Sequence, residues 1–308
     1  MDIPGQLKLI QKLSGLKQEQ LARRLDVTFA AYNRWVNGKA KPRAKAQQRI
    51  GELYREYTGQ KEIPKDALTA KKQAVLAKRK VHKAVLKTIL ANPDIRDQFM
   101  LSLTYHSNKI EGSSLTENDT AAILFQNVSL PNKSLTEQME AKNHQSALTY
   151  LFDYIGGKKK LNEDFILKLH SILMNSIRDD AGFYRRHGVR IVGTFVPTAN
   201  YLKVPQLMGE LIKNINKKSK DIIGQIADIH SRFEKIHPFP DGNGRIGRLL
   251  MHAMLLKENL PPAVIKQERR RLYMAYLNKA QMKDDASNLN DFICDAVLDG
   301  YGVVERKV

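Results

Sequence analysis

Residues 237–248 read HPFPDGNGRIGR. Before them, Ile222, Ile226, Ile229, Phe233 and Ile236 recur at helical spacing and predict an amphipathic helix. Pro238 cannot continue that helix and fixes the chain's exit. A tight turn through Asp241, Gly242 and Asn243 follows. A second helix then carries Leu249, Leu250 and Met254 inward. Gly242 and Gly244 permit close backbone approach, and with the new helix N-terminus their N–H groups form an anion-binding concavity. Arg245 and Arg248 stand three apart, on one helix face beside it, and guanidinium forks suit phosphate oxygens. Asp241 is a hard oxygen donor suited to Mg²⁺ bridging phosphates. His237 can take a proton near neutral pH. Twelve residues thus supply a base, a metal ligand, an anion nest and two cationic clamps, the parts of a phosphate-transfer site.

Working outward, the chain from residue 95 onward is helical by periodicity. Stretches lie near 95–109, 116–126, 134–156, 162–177, 205–217, 221–236, 244–258, 269–282 and 288–301. Residues 188–203 (GVRIVGTFVPTANYLK) differ. They are β-branched and interrupted by Gly and Pro, and predict a short hairpin or flap.

The 237–248 stretch resembles the HPFx(D/E)GNGRxxR signature of the Fic (Fic/Doc, Fido) family at every specified position. The resemblance extends over roughly residues 95–300, with Gly-Phe-Tyr-Arg at 182–185 and the flap in the family's order. It implies an all-α fold with a β-hairpin flap, and transfer of AMP from ATP to a protein Ser, Thr or Tyr hydroxyl. Carried over position by position, His237 is the general base and Asp241 the Mg²⁺ ligand. Gly242, Asn243, Gly244 and Arg245 hold the α- and β-phosphates, with Ile246 and Gly247 in the same turn, and Arg248 holds the γ-phosphate. Arg190, Ile191, Val192 and Gly193 belong to the flap, and Tyr273 and Gln281 lie where relatives contact adenosine. Gly244-Arg245, in place of the Lys variant of Doc toxins, favours nucleotidyl over phosphoryl transfer.

Upstream, residues 107–112 read SNKIEG. They resemble the (S/T)xxxE(G/N) inhibitory motif of Fic proteins that carry an inhibitory helix before the catalytic core. By that resemblance Glu111, with Ser107 and Gly112, competes with the γ-phosphate for Arg248. Some relatives use the same glutamate to remove AMP, so the net direction of transfer stays open.

QEQLARRLDVTFAAYNRWVNGKAKPR spans Gln18 to Arg43. Two short helices joined at Asp26-Val27 project the second from the surface, the geometry of a helix-turn-helix. The stretch resembles the phage-repressor family over about residues 5–58. The resemblance places Leu21, Ala22, Leu25, Val27, Tyr32 and Trp35 in the core. It turns Gln18, Arg34, Lys39, Lys41 and Arg43 toward phosphate and Phe29, Ala30 and Asn33 toward bases. Val36 departs from the family, which usually has an acidic residue there. Phe29, Ala30 and Ala31 can read little beyond thymine methyl groups. A helical bundle that docks on protein is therefore the alternative to DNA.

Charge supports the polyanion reading. The 308 residues hold 51 Lys and Arg against 32 Asp and Glu, a net +19. Residues 1–58 carry 12 basic against 5 acidic groups and residues 59–92 carry 9 against 2, so +14 lies in the first 92 residues. The single cysteine, Cys294, excludes an internal disulfide framework and fits a reducing compartment. No apolar run reaches the roughly 18–20 residues of a membrane span, and the first residues lack the apolar segment of a secretory signal. The expectation is a cytoplasmic protein with three parts. These are a helix-turn-helix domain at 1–58, a basic linker and helix at 59–94 (one helix over 69–91 with Val81, Val85 and Ile89 inward), and a Fic domain at 95–308 with the inhibitory helix near 95–112. A repressor-like domain also suggests a homodimer on a two-fold site. A transcription regulator whose Fic domain only senses nucleotide is the rival function.

Overall fold

A computed structural model describes residues 1–191 and 196–306. In chain order the helices are α1 (Ile3–Ser14), α2 (Gln18–Arg24), α3 (Phe29–Val36), α4 (Ala44–Tyr57), α5 (Lys65–Val81), α6 (Val85–Ala91), α7 (Pro93–Ile110) and α8 (Glu117–Ala121). There follow α9 (Leu135–Gly156), α10 (Glu163–Leu173), α11 (Val204–Ile215), α12 (Ile222–Ile236), α13 (Asn243–Lys257), α14 (Arg270–Lys283) and α15 (Ser287–Val304). They form two compact units, residues 1–64 with 268–289, and residues 65–267 with 290–308.

In the first unit, Asp2 caps α1 through its carboxylate and Thr28 caps α3 through its hydroxyl. Leu7 and Ile10 are buried, and so are Leu21, Ala22, Leu25 and Tyr32, which the helix-turn-helix resemblance places in the core. Two residues trade places. Trp35 is only half-buried, like Val27, and Val36 is the buried residue at the end of α3. An acidic side chain at position 36 would be desolvated, which accounts for valine there. From far along the chain, α14 packs on α1 and α4 and completes this core.

The second unit is built around α13. From Arg245 to Leu256 every residue of α13 is buried, because α12, α9, α10 and α7 pack on it from different sides. A helix covered all round reads as nearly continuous apolar sequence, and the polar groups it does carry must find partners inside. Cys294 is likewise buried.

Two expectations are corrected. The basic helix over 69–91 is two helices, α5 and α6, and Val81 is exposed. The break is held by Asn259, whose Nδ2 donates to the His82 carbonyl (2.6 Å) and whose Oδ1 accepts from the Val85 N–H (2.9 Å). One distant amide thus satisfies the backbone groups freed at the kink. Second, the described part of 188–203 holds no strand. It is irregular up to a 3₁₀ turn at Tyr201–Lys203. Residues 192–195, including Val192 and Gly193, lie outside the described residues. Among the described residues no helix is long and apolar enough to cross a membrane.

Candidate active site

α12 ends at His237, which adopts a left-handed conformation (φ 53°, ψ 60°) before Pro238. A non-glycine residue in that region is sparsely populated, so the surroundings must hold it. Arg185 does so. Its Nε donates to the His237 carbonyl (2.7 Å), its Nη2 to the carbonyls of Ile236 (3.3 Å) and Ala199, and its Nη1 to that of His187 (2.8 Å). Its backbone N–H donates to the Pro238 carbonyl (2.9 Å). One buried guanidinium thus ties the turn at His237 to both flanks of the 188–200 segment.

The His237 ring has a defined tautomer. Its Nδ1 lies 3.2 Å from the Glu234 carbonyl, and a carbonyl can only accept. Nδ1 therefore carries the proton and Nε2 keeps its lone pair. Burial holds the imidazole below its ordinary pKa, the neighbouring Arg185 adding to this against the Glu234 carbonyl bond. His237 is a neutral base at physiological pH.

The loop after His237 is braced from inside. Phe239 is fully buried and stacked on His170, ring centroids 3.8 Å apart and planes 5° off parallel. His170 accepts from the Gly182 N–H at Nδ1 (2.8 Å), so its Nε2 donates to the Asp241 carbonyl (3.2 Å). Asn243 closes the loop, its Oδ1 accepting from the Phe239 N–H and its Nδ2 donating to the Phe239 carbonyl, both at 2.8 Å. The asparagine expected at phosphate is thus occupied with holding the turn. Gly242 sits at φ 76°, and a Cβ there would press on Met174 Sδ at 3.1 Å, so glycine is required both by conformation and by space.

At the start of α13, Arg248 donates from Nε to Ser107 Oγ (2.9 Å) and from Nη2 to the Ser107 carbonyl (3.1 Å) and to Glu111 Oε1 (2.7 Å). The Glu111 carboxylate also rests on Gly244, where an added Cβ would fall 2.3 Å from Oε1. A carboxylate thus lies over the glycine turn at the helix N-terminus and on the second arginine together. Gly112, at φ 107°, turns the chain away at the end of α7. Arg245 is paired with Glu140 of α9 (2.6 Å) and stands 3.9 Å from Asp241. Asp241 faces solvent at the mouth, with Oδ1 taking the Gly242 N–H at 2.6 Å. One exposed carboxylate beside an anion cradle fits Mg²⁺, which keeps several waters and takes other ligands from phosphates.

Behind Arg248 lies Glu234. It is buried, its Oε1 meets no hydrogen-bond partner among the described residues, and it presses on the Cα of Gly247. Burial pushes its carboxyl up to about 8, Arg248 opposing and Glu111 adding to this. The folded-state value lies above the ordinary 4.5, so the folded protein holds a proton that the unfolded chain loses. Stability is therefore full below pH 4.5 and falls as pH rises toward 8. Glu234→Gln, neutral at every pH, is expected to gain on wild type by on the order of 3 kcal/mol between pH 5 and 8. Urea unfolding of both proteins at the two pH values checks this; parallel pH profiles would refute the buried neutral acid.

Of the other sequence-derived candidates, Ile246 and Gly247 are buried in α13 and meet the core. Arg190 is exposed and Ile191 half-buried. Tyr273 and Gln281 lie on α14, in the unit that holds α1–α4. In α3, Phe29 is 48% exposed, and Arg34, Lys39, Lys41 and Arg43 are exposed. Asn33 and Gln18, assigned to bases and phosphate, are bonded to each other at 3.0 Å. Glu140, His170 and Glu234 have no local spacing that marks them. Arg185 alone lay inside a quoted motif.

The fold and the site define an all-helical protein with a Fic-type turn. Residues 160–255 match the profile of the Fic/DOC family and residues 7–55 a helix-turn-helix profile. The chain therefore carries a Fic/DOC domain preceded by a helix-turn-helix domain. The protein adenylyltransferase Fic of Nematostella vectensis is 34% identical over 189 residues, covering 58% of this chain and 43% of its own length. Protein adenylyltransferase fic-1 of Caenorhabditis elegans is 32% identical over 196 residues, covering 62% and 38%. The chain thus spans about two fifths of the length of these curated relatives. A Fic domain containing signaling protein from Bacteroides thetaiotaomicron superposes with a TM-score of 0.62 at 25% identity, over 76% of this chain and 94% of that one. A fragment of C. elegans Fic-1 covers 95% and 96% at 20% identity with a TM-score of 0.60, and shares the fold.

Proposed function

We propose that this protein is a protein adenylyltransferase that moves AMP from ATP to a Ser, Thr or Tyr hydroxyl and is held back by Glu111. The observation that carries the reading is the Glu111 carboxylate seated on Gly244 and Arg248, opposite a neutral His237. An anion cradle occupied by the chain's own anion is a phosphate site with a brake. In the reaction, the turn at Gly242–Arg245 and the positive end of α13 bind the α- and β-phosphates, and Arg248 takes the γ-phosphate once Glu111 leaves. His237 Nε2 accepts the proton of the incoming hydroxyl, whose oxygen bonds to the α-phosphorus as pyrophosphate departs. Asp241 would hold Mg²⁺, which neutralises charge across the phosphates. The 188–200 segment, with Arg190, Ile191, Val192 and Gly193, aligns the target as a flap, and Arg185 fixes its flanks to the base. Net removal of AMP by the same site remains an outcome of the assay. Incubation with ATP labelled at the α- or the γ-phosphate tests the reading. Protein-bound label from the α-position alone supports it; label from the γ-position, or from neither with Glu111 replaced, overturns it.

A second reading concerns residues 1–58. The exposed arginines and lysines around α3, and Phe29 at its start, favour DNA as partner. A two-fold site would call for two copies. Fluorescence of Trp35, the chain's one tryptophan, reports binding. Four cations on phosphate predict that log K falls with log salt at a slope of about −3 to −4. Arg34→Ala is expected to reduce that slope by about one. Absence of binding at low salt would point to docking on protein instead.

A further inference from the structure

α6 is apolar on two faces. Val85 and Ile89 are fully buried. Leu86 and Leu90, one turn apart, point the other way, and Leu90 is 43% exposed. They form one wall of a groove of about 650 Å³. Ile155, near the end of α9, and Leu256, near the end of α13, make its floor, 7% and 5% exposed. The rim is basic. Lys87, Lys158 and Lys257 line it from three different elements, and Lys159 and Lys160 extend the run beside Lys158. Among the described residues neither an acidic nor an aromatic side chain lines it. Glu258, next to Lys257 in the chain, is paired with Arg79 at 3.2 Å. Burial, with the like charge of Lys160 adding to it, holds the Lys257 ammonium below its ordinary pKa against the pull of Glu258.

We propose that this groove docks an acidic amphipathic segment of a partner protein, two aliphatic side chains entering between Leu90 and Leu256 while flanking carboxylates meet Lys87, Lys158 and Lys257. An exposed aliphatic wall ringed by cations leaves both apolar area and uncompensated positive charge, and one such segment covers both. A second copy of this chain is a poor occupant, since each carries +19. A bilayer surface reaches Leu90 but not the recessed Ile155 and Leu256. A single-headed amphiphile brings one anion to a rim whose cations come from three sides. Nucleic acid finds no stacking or hydrogen-bonding side chain in an aliphatic floor. The groove lies at the C-terminal end of α13 and the 237–248 turn at its N-terminal end, about 20 Å away at 1.5 Å rise per residue. A partner held there leaves the catalytic mouth open. The proposal does not depend on the adenylyltransferase reading.

Selection of displayed peptides on the full chain tests it, followed by fluorescence anisotropy of the enriched peptides. Leu90→Ser and Lys158→Glu serve as variants; both positions are exposed, and unchanged melting temperatures confirm the fold. The expected result is enrichment of sequences with aliphatic residues three or four apart flanked by Asp and Glu. Each variant should weaken their binding at least about tenfold, and high salt should weaken it further. Failure to enrich, enrichment of basic or uncharged flanks, or affinities that neither variant moves would overturn it.

Discussion

Replacing His237 by alanine is expected to lower AMP transfer by about 10²–10⁴-fold, the range a positioned general base contributes, without loss of fold. The His237 side chain bonds through Nδ1 to the Glu234 carbonyl, and the turn is held through its backbone by Arg185. The loss should fall on kcat rather than on KM for ATP, because the ring binds a proton of the incoming hydroxyl and none of the phosphates. The pH profile carries a second signature. The imidazole's pKa is pushed below its ordinary value, so the rate should fall only at a pH below the usual histidine range. Initial rates of α-labelled transfer, measured with Glu111 replaced so that the brake does not mask the step, check both. Full activity in His237→Ala, or an acid limb above the ordinary histidine value, would remove His237 from the base role.

Replacing Glu111 by glycine is expected to raise transfer by on the order of 10- to 100-fold. In the proposed mechanism the carboxylate and the γ-phosphate would compete for one guanidinium and one patch over Gly244, and ATP would have to displace an intramolecular anion. The same change removes the countercharge of Arg248, whose side chain is 3% exposed. The two bonds to Ser107 remain. Loss of this ion pair costs about 1–3 kcal/mol, discounted here because the carboxylate side of the pair is 41% exposed. Without nucleotide the variant should therefore melt lower than wild type. ATP with Mg²⁺ should restore it more than it shifts wild type, since the ligand supplies the missing anion. Equal activity of the two proteins would show that Glu111 is not a brake. Raised activity with an unchanged response to ATP would place its effect away from Arg248.

Much of this protein is legible from order along the chain. Helices α12 and α13 follow from spacing. The turn between them follows from Pro238, Gly242 and the cation pair, because these are short-range constraints: a ring that fixes φ, a missing Cβ, two side chains on one face. The two short helices of the helix-turn-helix follow from their spacing and the break at Asp26-Val27, while Tyr32 in its core follows from the resemblance. The tertiary structure decided what those parts do to one another. Glu111 meets Arg248 across 137 positions of sequence and Glu140 meets Arg245 across 105. Arg185 reaches His237 across 52. Asn259 splits a run that periodicity makes one helix, and α14 joins the core of α1–α4 from more than 200 residues away. Periodicity records which face of a segment is buried, but not which segment covers it. A buried charge or amide selects its partner by distance and geometry in the packed interior, which no spacing along the chain encodes.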